Sequence, residues 1–98
     1  MAQFDVHVLL DGTTVVCVQS GMIDDYRTTV VVPLLPVDDL SSRHTRLHPA
    51  FRIGGDRLIL APQLIAAIPS RSLGPRRASL IDHEYTIKAA LDVVFGGY

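Results

Sequence analysis

Apolar residues fall in short strand-length runs along most of this chain and take a period near 3.6 only toward its end. Phe4, Val6, Val8 and Leu10 alternate with Asp5 and His7; after the turn dipeptide Asp11-Gly12, β-branched residues return from Thr14 to Gln19. That pattern predicts an antiparallel hairpin. Ser20-Gly21 interrupts it, and Met22-Ile23-Asp24-Asp25 reads as a connection. Thr28 to Leu35 is a third strand, too apolar to have a fully wet face. Pro33 within it has no N–H to give a ladder, which predicts an edge position or a bulge, with Pro36 ending the strand. Asp38 to His48 is polar and reads as loop, with at most a turn of helix at Asp38-Asp39-Leu40. Phe51-Arg52-Ile53 and Arg57 to Leu60, joined by Gly54-Gly55-Asp56, predict a second hairpin. Pro62 is placed to open a short helix over Gln63 to Ala67. Ser70 to Leu73 reads as one more short strand, and Gly74 to Ala78 as a loop.

From Asp82 onward the spacing changes. Leu80, Ile87, Leu91 and Val94 recur at intervals of seven, four and three, one face of a helix that needs a sheet beneath it. Asp82 is the expected N-cap, and Glu84 with Lys88 forms a favourable i, i+4 pair. His83, Tyr85 and Asp92 lie off the buried stripe. Phe95-Gly96-Gly97-Tyr98 follows, two glycines that stop the helix between two aromatics. Five or more antiparallel strands with one terminal helix make an α+β domain of small barrel-like form.

Composition narrows the setting. At 98 residues the chain has room for one core, so residues 1–98 are one domain. Apolar residues make up 48% and charged ones 19%, more hydrophobic material than so small a body buries, and a homodimer interface is the expected home for the excess. A net charge of −1 gives no general attraction for nucleic acid or anionic lipid, although Arg71, Arg76 and Arg77 form a local basic patch; a protein partner is expected. Cys17 is the only cysteine, which suits a reducing compartment. With no basic leader at the N-terminus and no apolar run near ~18 residues, a cytoplasmic location is expected.

Candidate chemistry is sparse. Cys17 sits in an alternating strand and reads as a small buried hydrophobe. His44 and His48 have the spacing of a metal pair but no evident third ligand. Asp24-Asp25 and Asp38-Asp39 are sequence neighbours whose carboxylates point apart, and read as turn residues. Arg76-Arg77-Ala78-Ser79 has the form of a basic phosphoacceptor site but reads as an ordinary loop. Gly54-Gly55 precedes a strand rather than a phosphate-binding helix. No catalytic residue, metal or cofactor is expected, and the chain reads as a binding protein rather than an enzyme.

The order and spacing of several short stretches carry a resemblance. They are Gln3-Phe4, Val18-Gln19-Ser20 with Met22-Ile23-Asp24, Val31-Val32-Pro33-Leu34, Leu47 to Pro49, Ile53-Gly54, Ile68-Pro69, and Ile87-Lys88-Ala89-Ala90 with Phe95 and Gly97. Together, nearly end to end, they resemble the CcdB family of bacterial toxins from plasmid and chromosomal toxin–antitoxin pairs. The resemblance implies a homodimer of SH3-like antiparallel barrels (CcdB- and MazF-like), each with a C-terminal helix. It also implies a poison of DNA gyrase that binds the gyrase A subunit through the helix ends, traps the enzyme on cleaved DNA and is neutralised by a CcdA-like antitoxin with a disordered C-terminal segment. By position, the gyrase-binding residues it implies are Met22, Ile23, Asp92, Phe95, Gly96, Gly97 and Tyr98.

One departure bears on that role. Where the family pattern ends Phe-Trp-Gly-Ile, this chain has Phe95-Gly96-Gly97-Tyr98, so the indole that stacks on a gyrase arginine in the family is missing. A desolvated cation–π stack is worth about 2 kcal/mol; two per dimer amount to about 4 kcal/mol, near a thousandfold in affinity. Two other readings therefore stay open. The RNA-cutting MazF-type toxins resemble the same barrel, with Arg52, Arg57 and His48 as candidate groups here, and a degenerate relative would keep antitoxin and dimer while losing gyrase.

Overall fold

The computed structural model describes residues 2–23, 27–39 and 44–96. Seven strands and one helix follow in chain order: β1 (Asp5–Leu9), β2 (Thr14–Cys17), β3 (Thr28–Leu35), β4 (Ala50–Ile53), β5 (Asp56–Leu60), β6 (Ala66–Pro69), β7 (Leu73–Ser79) and α1 (Glu84–Val94). The strands form one antiparallel sheet in the order β4-β5-β3-β2-β1-β7, with β6 paired to the first half of β3. The sheet curls into a half-barrel, and α1 packs against the 3₁₀ turn at Pro62–Leu64. The expected α+β barrel with a C-terminal helix is what the chain forms.

Curling creates two apolar cores, one on each face of the central strands. Val6, Val16, Val32 and Leu34 join Phe51, Ile53, Leu58 and Leu60 of the second hairpin and Leu80, Ile87 and Ala90 of the helix. On the other face Val15, Cys17 and Val31 form a smaller cluster, with Leu9, Ile68 and Leu73 only partly covered. This is why β2 is buried at all four positions: odd and even residues feed different cores. Each fully buried Leu or Ile contributes roughly 1.5–3 kcal/mol before entropy is subtracted.

The first hairpin turns as expected. Gly12 has φ +91°, a conformation that suits glycine, and Asp11 Oδ1 accepts the Thr13 N–H at 2.9 Å. The second hairpin turns at Gly54, φ +62°.

Four expectations are corrected. Pro33 is neither at an edge nor in a bulge. Its carbonyl accepts the Ala61 N–H at 3.0 Å, so its nitrogen faces that same side, where β3 exchanges β6 for β5 and no strand asks for a donor. The helix begins later than Asp82: residues 81–83 form a 3₁₀ turn, His83 occupies the N-cap position, and no side chain caps it. The helix expected over Gln63 to Ala67 is only the turn at Pro62–Leu64, because Ala66 and Ala67 are drawn into β6. Ser70–Ser72 is a 3₁₀ turn, and the presumed loop after it is strand β7.

Candidate functional site

At 100° per residue, Ile87, Ala90, Leu91 and Val94 share the side of α1 turned to the core. Tyr85, Lys88, Asp92 and Phe95 fall within an arc of about 80° on the other side. Ile87 and Ala90 are wholly buried, whereas Tyr85 is 82% and Phe95 71% exposed. The Glu84–Lys88 pair forms at 3.2 Å along this outer side. The helix then closes on its own backbone: Phe95 N–H reaches Leu91 O at 3.1 Å, and Gly96 N–H reaches Val93 O at 3.3 Å. Gly96 has φ +86°, the left-handed geometry that ends helices and admits glycine most readily. The phenyl ring of Phe95 is thereby held in solvent at the end of a rigid element, with Asp92 one turn before it.

Of the residues expected to grip a partner, the structure brings together Asp92, Phe95 and Gly96. Gly97 and Tyr98 lie outside the described residues. Met22 stands in a separate 3₁₀ turn between β2 and β3 (Gly21–Ile23) and is 94% exposed. No hydrogen bond, ion pair or ring contact among the described residues joins it to α1. Ile23 belongs to the same turn. Tyr85 was placed by sequence off the buried stripe but not among the partner contacts. Its signal is the i, i+7 relation to Asp92, which puts both on one line along the helix. His83 is partly engaged instead, its ring 5.2 Å from that of Phe51 at 59°.

The remaining candidates sort by what they touch. His48 is buried; its Nδ1 accepts the His44 N–H at 2.9 Å, so Nε2 carries the proton and donates to Gln63 Oε1 at 3.2 Å. Both nitrogens are spent on holding the loop before β4, which removes His48 as a metal ligand or general base. Arg52 and Arg57 face one another across β4 and β5, while His48 holds the loop before β4 with both ring nitrogens. No group of three His, Cys, Asp or Glu among the described residues is placed to hold a metal. Cys17 is buried. Asp38 lies in a 3₁₀ turn with Asp39, while Asp24 and Asp25 lie outside the described residues. The basic patch is divided: Arg76 pairs with Asp5 at 3.2 Å, and Arg77 reaches the Gly54 turn. There Arg77 borders an open cleft of about 440 Å³ with Asp11, Thr13, Thr14 and Asp56. Hydrogen bonding from the Thr13 N–H holds the Asp11 carboxyl below its ordinary pKa. No helix among the described residues is long and apolar enough to cross a membrane.

A family model described as CcdB protein matches residues 3–97. Comparison with curated proteins returns no match. Among solved structures, an endoribonuclease from a mycobacterial species, in complex with its cognate antitoxin, superposes with a TM-score of 0.82 at 14% identity over 98% of this chain and 95% of that one. A further mycobacterial endoribonuclease gives 0.78 at 14% identity, over 98% and 91%. The Mycobacterium tuberculosis toxin MazF-mt6 gives 0.78 at 15% identity, over 94% and 96%. At such identities the likeness establishes a shared fold. It also overturns the expectation that the chain is no enzyme, because two of these neighbours on the same fold are endoribonucleases.

Proposed function

The chain belongs to the CcdB family, toxins of toxin–antitoxin systems, and on that footing we propose that it poisons DNA gyrase by binding the A subunit with the end of α1. The observation that carries this reading is the family match over residues 3–97, joined to a phenyl ring left 71% exposed at the helix end. Phe95 takes the part that a family tryptophan would share, since Gly96 has no side chain to offer. Burying one such ring on a partner contributes roughly 1.5–3 kcal/mol. A homodimer that presents two of them gains about 3–6 kcal/mol, or 10²- to 10⁴-fold in affinity. Asp92 and Met22 join the proposed contact as polar and apolar partners, with Ile23, Gly96, Gly97 and Tyr98 at the remaining positions that the family pattern assigns to it. The cognate antitoxin masks the toxin, and the site of action is the cytoplasm, where gyrase meets DNA.

A second reading is RNA cleavage, favoured by the two endoribonucleases that share the fold. In this chain it would draw on the cleft where Arg77 stands near Thr13, Thr14 and two carboxylates, a cation and proton-transfer groups facing one hollow.

Induction of the chain in bacterial cells separates the two. Gyrase poisoning gives growth arrest that a gyrase A subunit altered at its toxin-binding surface relieves, with cellular RNA intact. Arrest with fragmented RNA, indifferent to the gyrase allele, establishes the second reading instead.

A further inference from the structure

The outer side of α1 carries a pattern of its own. Tyr85, Lys88, Asp92 and Phe95 follow one another at intervals of three, four and three, the spacing of side chains that line a seam between two packed helices. All four are exposed, whereas the side of α1 that holds Ile87 and Ala90 is already spent on the core.

Read along the helix, the seam runs aromatic, cation, anion, aromatic, and this order is its own complement. Lys88 and Asp92 stand at equal distances on either side of residue 90, and so do Tyr85 and Phe95. A two-fold axis crossing the seam at that level sets two copies of α1 antiparallel. It places Tyr85 against the partner's Phe95 and Lys88 against the partner's Asp92. Each contact then occurs twice, as a two-fold interface requires: ion pairs in the middle, and an aromatic pair at each end.

Charge selects both the direction and the occupant. A parallel pairing would stack lysine on lysine and aspartate on aspartate, like charges face to face. In the antiparallel pairing every charge meets its opposite. The Asp92 carboxylate makes no ion pair or hydrogen bond with a described residue, and Lys88 gives Glu84 one contact at 3.2 Å, which leaves its ammonium further donors. An aromatic ring buries about 150–250 Å², so the four rings of two copies bury roughly 600–1,000 Å², the size of a weak, reversible contact.

We propose that α1 packs antiparallel on α1 of a second copy along this seam, an association that covers Phe95 until another partner displaces it. It is not the homodimer that presents two helix ends, because it hides them. The interface stands on the seam itself; only the identity of the displacing partner rests on the gyrase reading.

The test uses the full chain. In concentrated wild type, a nuclear Overhauser effect is expected between the rings of Tyr85 and Phe95. Within one copy these residues are about 15 Å apart along the helix, too far to give one. The effect should persist when labelled and unlabelled protein are mixed and only contacts between copies are selected, and it should fade on dilution. Charge exchange gives a second readout. Lys88→Glu and Asp92→Lys each set like charges across the seam, and sedimentation should show each variant associating at least tenfold more weakly than wild type. Mixed one to one, the two variants again oppose unlike charges and should associate as wild type does, which no effect within a single helix can produce. Circular dichroism establishes that both variants keep α1; if either does not, the ring contact in wild type decides. Absence of that contact overturns the proposal, as does wild-type association by either variant alone. A mixture of folded variants that fails to regain mass also overturns it. If wild type stays unassociated while it traps gyrase on cleaved DNA, the seam belongs to gyrase alone and the proposal falls. Ring contact and rescue in a protein that leaves gyrase untouched uphold the interface, and the gyrase reading fails instead.

Discussion

His7 Nδ1 lies 2.9 Å from the carbonyl oxygen of Gly74, which pins the buried side of β1 to a place where β7 slips its register. Between the pairs His7↔Arg76 and Leu9↔Leu73, β1 advances two residues and β7 three; the extra residue bulges out of the ladder. Gly74 sits in that bulge with its α-carbon against the Val8 carbonyl oxygen, where a Cβ would collide with backbone. Gly74→Ala is therefore expected to destabilise the fold by at least ~2 kcal/mol, lowering the melting temperature by roughly 10 °C for a domain of this size. A thermal melt followed by circular dichroism measures it.

The two sides of α1 should respond oppositely to truncation. Ile87 is fully buried, and Ile87→Ala is expected to cost about 2–5 kcal/mol through lost packing and the cavity left behind. Phe95, mostly exposed, is expected to change stability by less than about 0.5 kcal/mol when replaced by alanine. Urea denaturation of the two variants compares them directly. A Phe95→Ala cost as large as that of Ile87→Ala would show the ring to be part of the core.

Asp11 supplies a pH-dependent element. Its folded pKa is depressed by the Thr13 N–H, so the stability it contributes is fully present above its unfolded value, the ordinary 3.8, and is lost as pH falls through the lower folded value. A carboxyl titration followed by NMR should place its midpoint below 3.8. Correspondingly, Asp11→Asn should differ from wild type in melting temperature near neutrality, and the difference should vanish in strong acid. A midpoint at or above the ordinary value would show that the turn bond does not form in solution.

Sequence patterning carried the first five strands because each is a short run of apolar or β-branched residues bounded by turn residues, and it carried α1 because Ile87, Leu91 and Val94 keep the helical interval. It failed at β7 for an identifiable reason. Two extra residues, one between the Ala78 and Arg76 pairings and one between Arg76 and Leu73, destroy the period of two, and Pro75 with Arg76-Arg77 imitates a loop. β6 was hidden by Pro62, which does start a turn but one that ends at Leu64. Pro33 misled in the opposite sense, since nothing in sequence shows that β3 changes partners beside it. At the candidate site the place of Phe95 after the last buried turn suited a cap on the core as well as a partner contact, and the structure leaves the ring exposed. Tyr85 as a neighbour of Asp92 was within reach of the i, i+7 spacing, whereas the spent nitrogens of His48 could not be read without the loop in space.

Gyrase-mediated DNA cleavage tests the proposed function most directly. Purified gyrase, supercoiled plasmid and ATP are incubated with the wild-type chain and, separately, with Phe95→Ala, and linear DNA is quantified after protease treatment. The wild-type chain should accumulate linear plasmid, and Phe95→Ala should need at least tenfold more protein to do so, one buried phenyl ring being worth roughly 1.5–3 kcal/mol. Equal cleavage by the two proteins, or no linear DNA with wild type at any concentration, would contradict a helix end that grips gyrase.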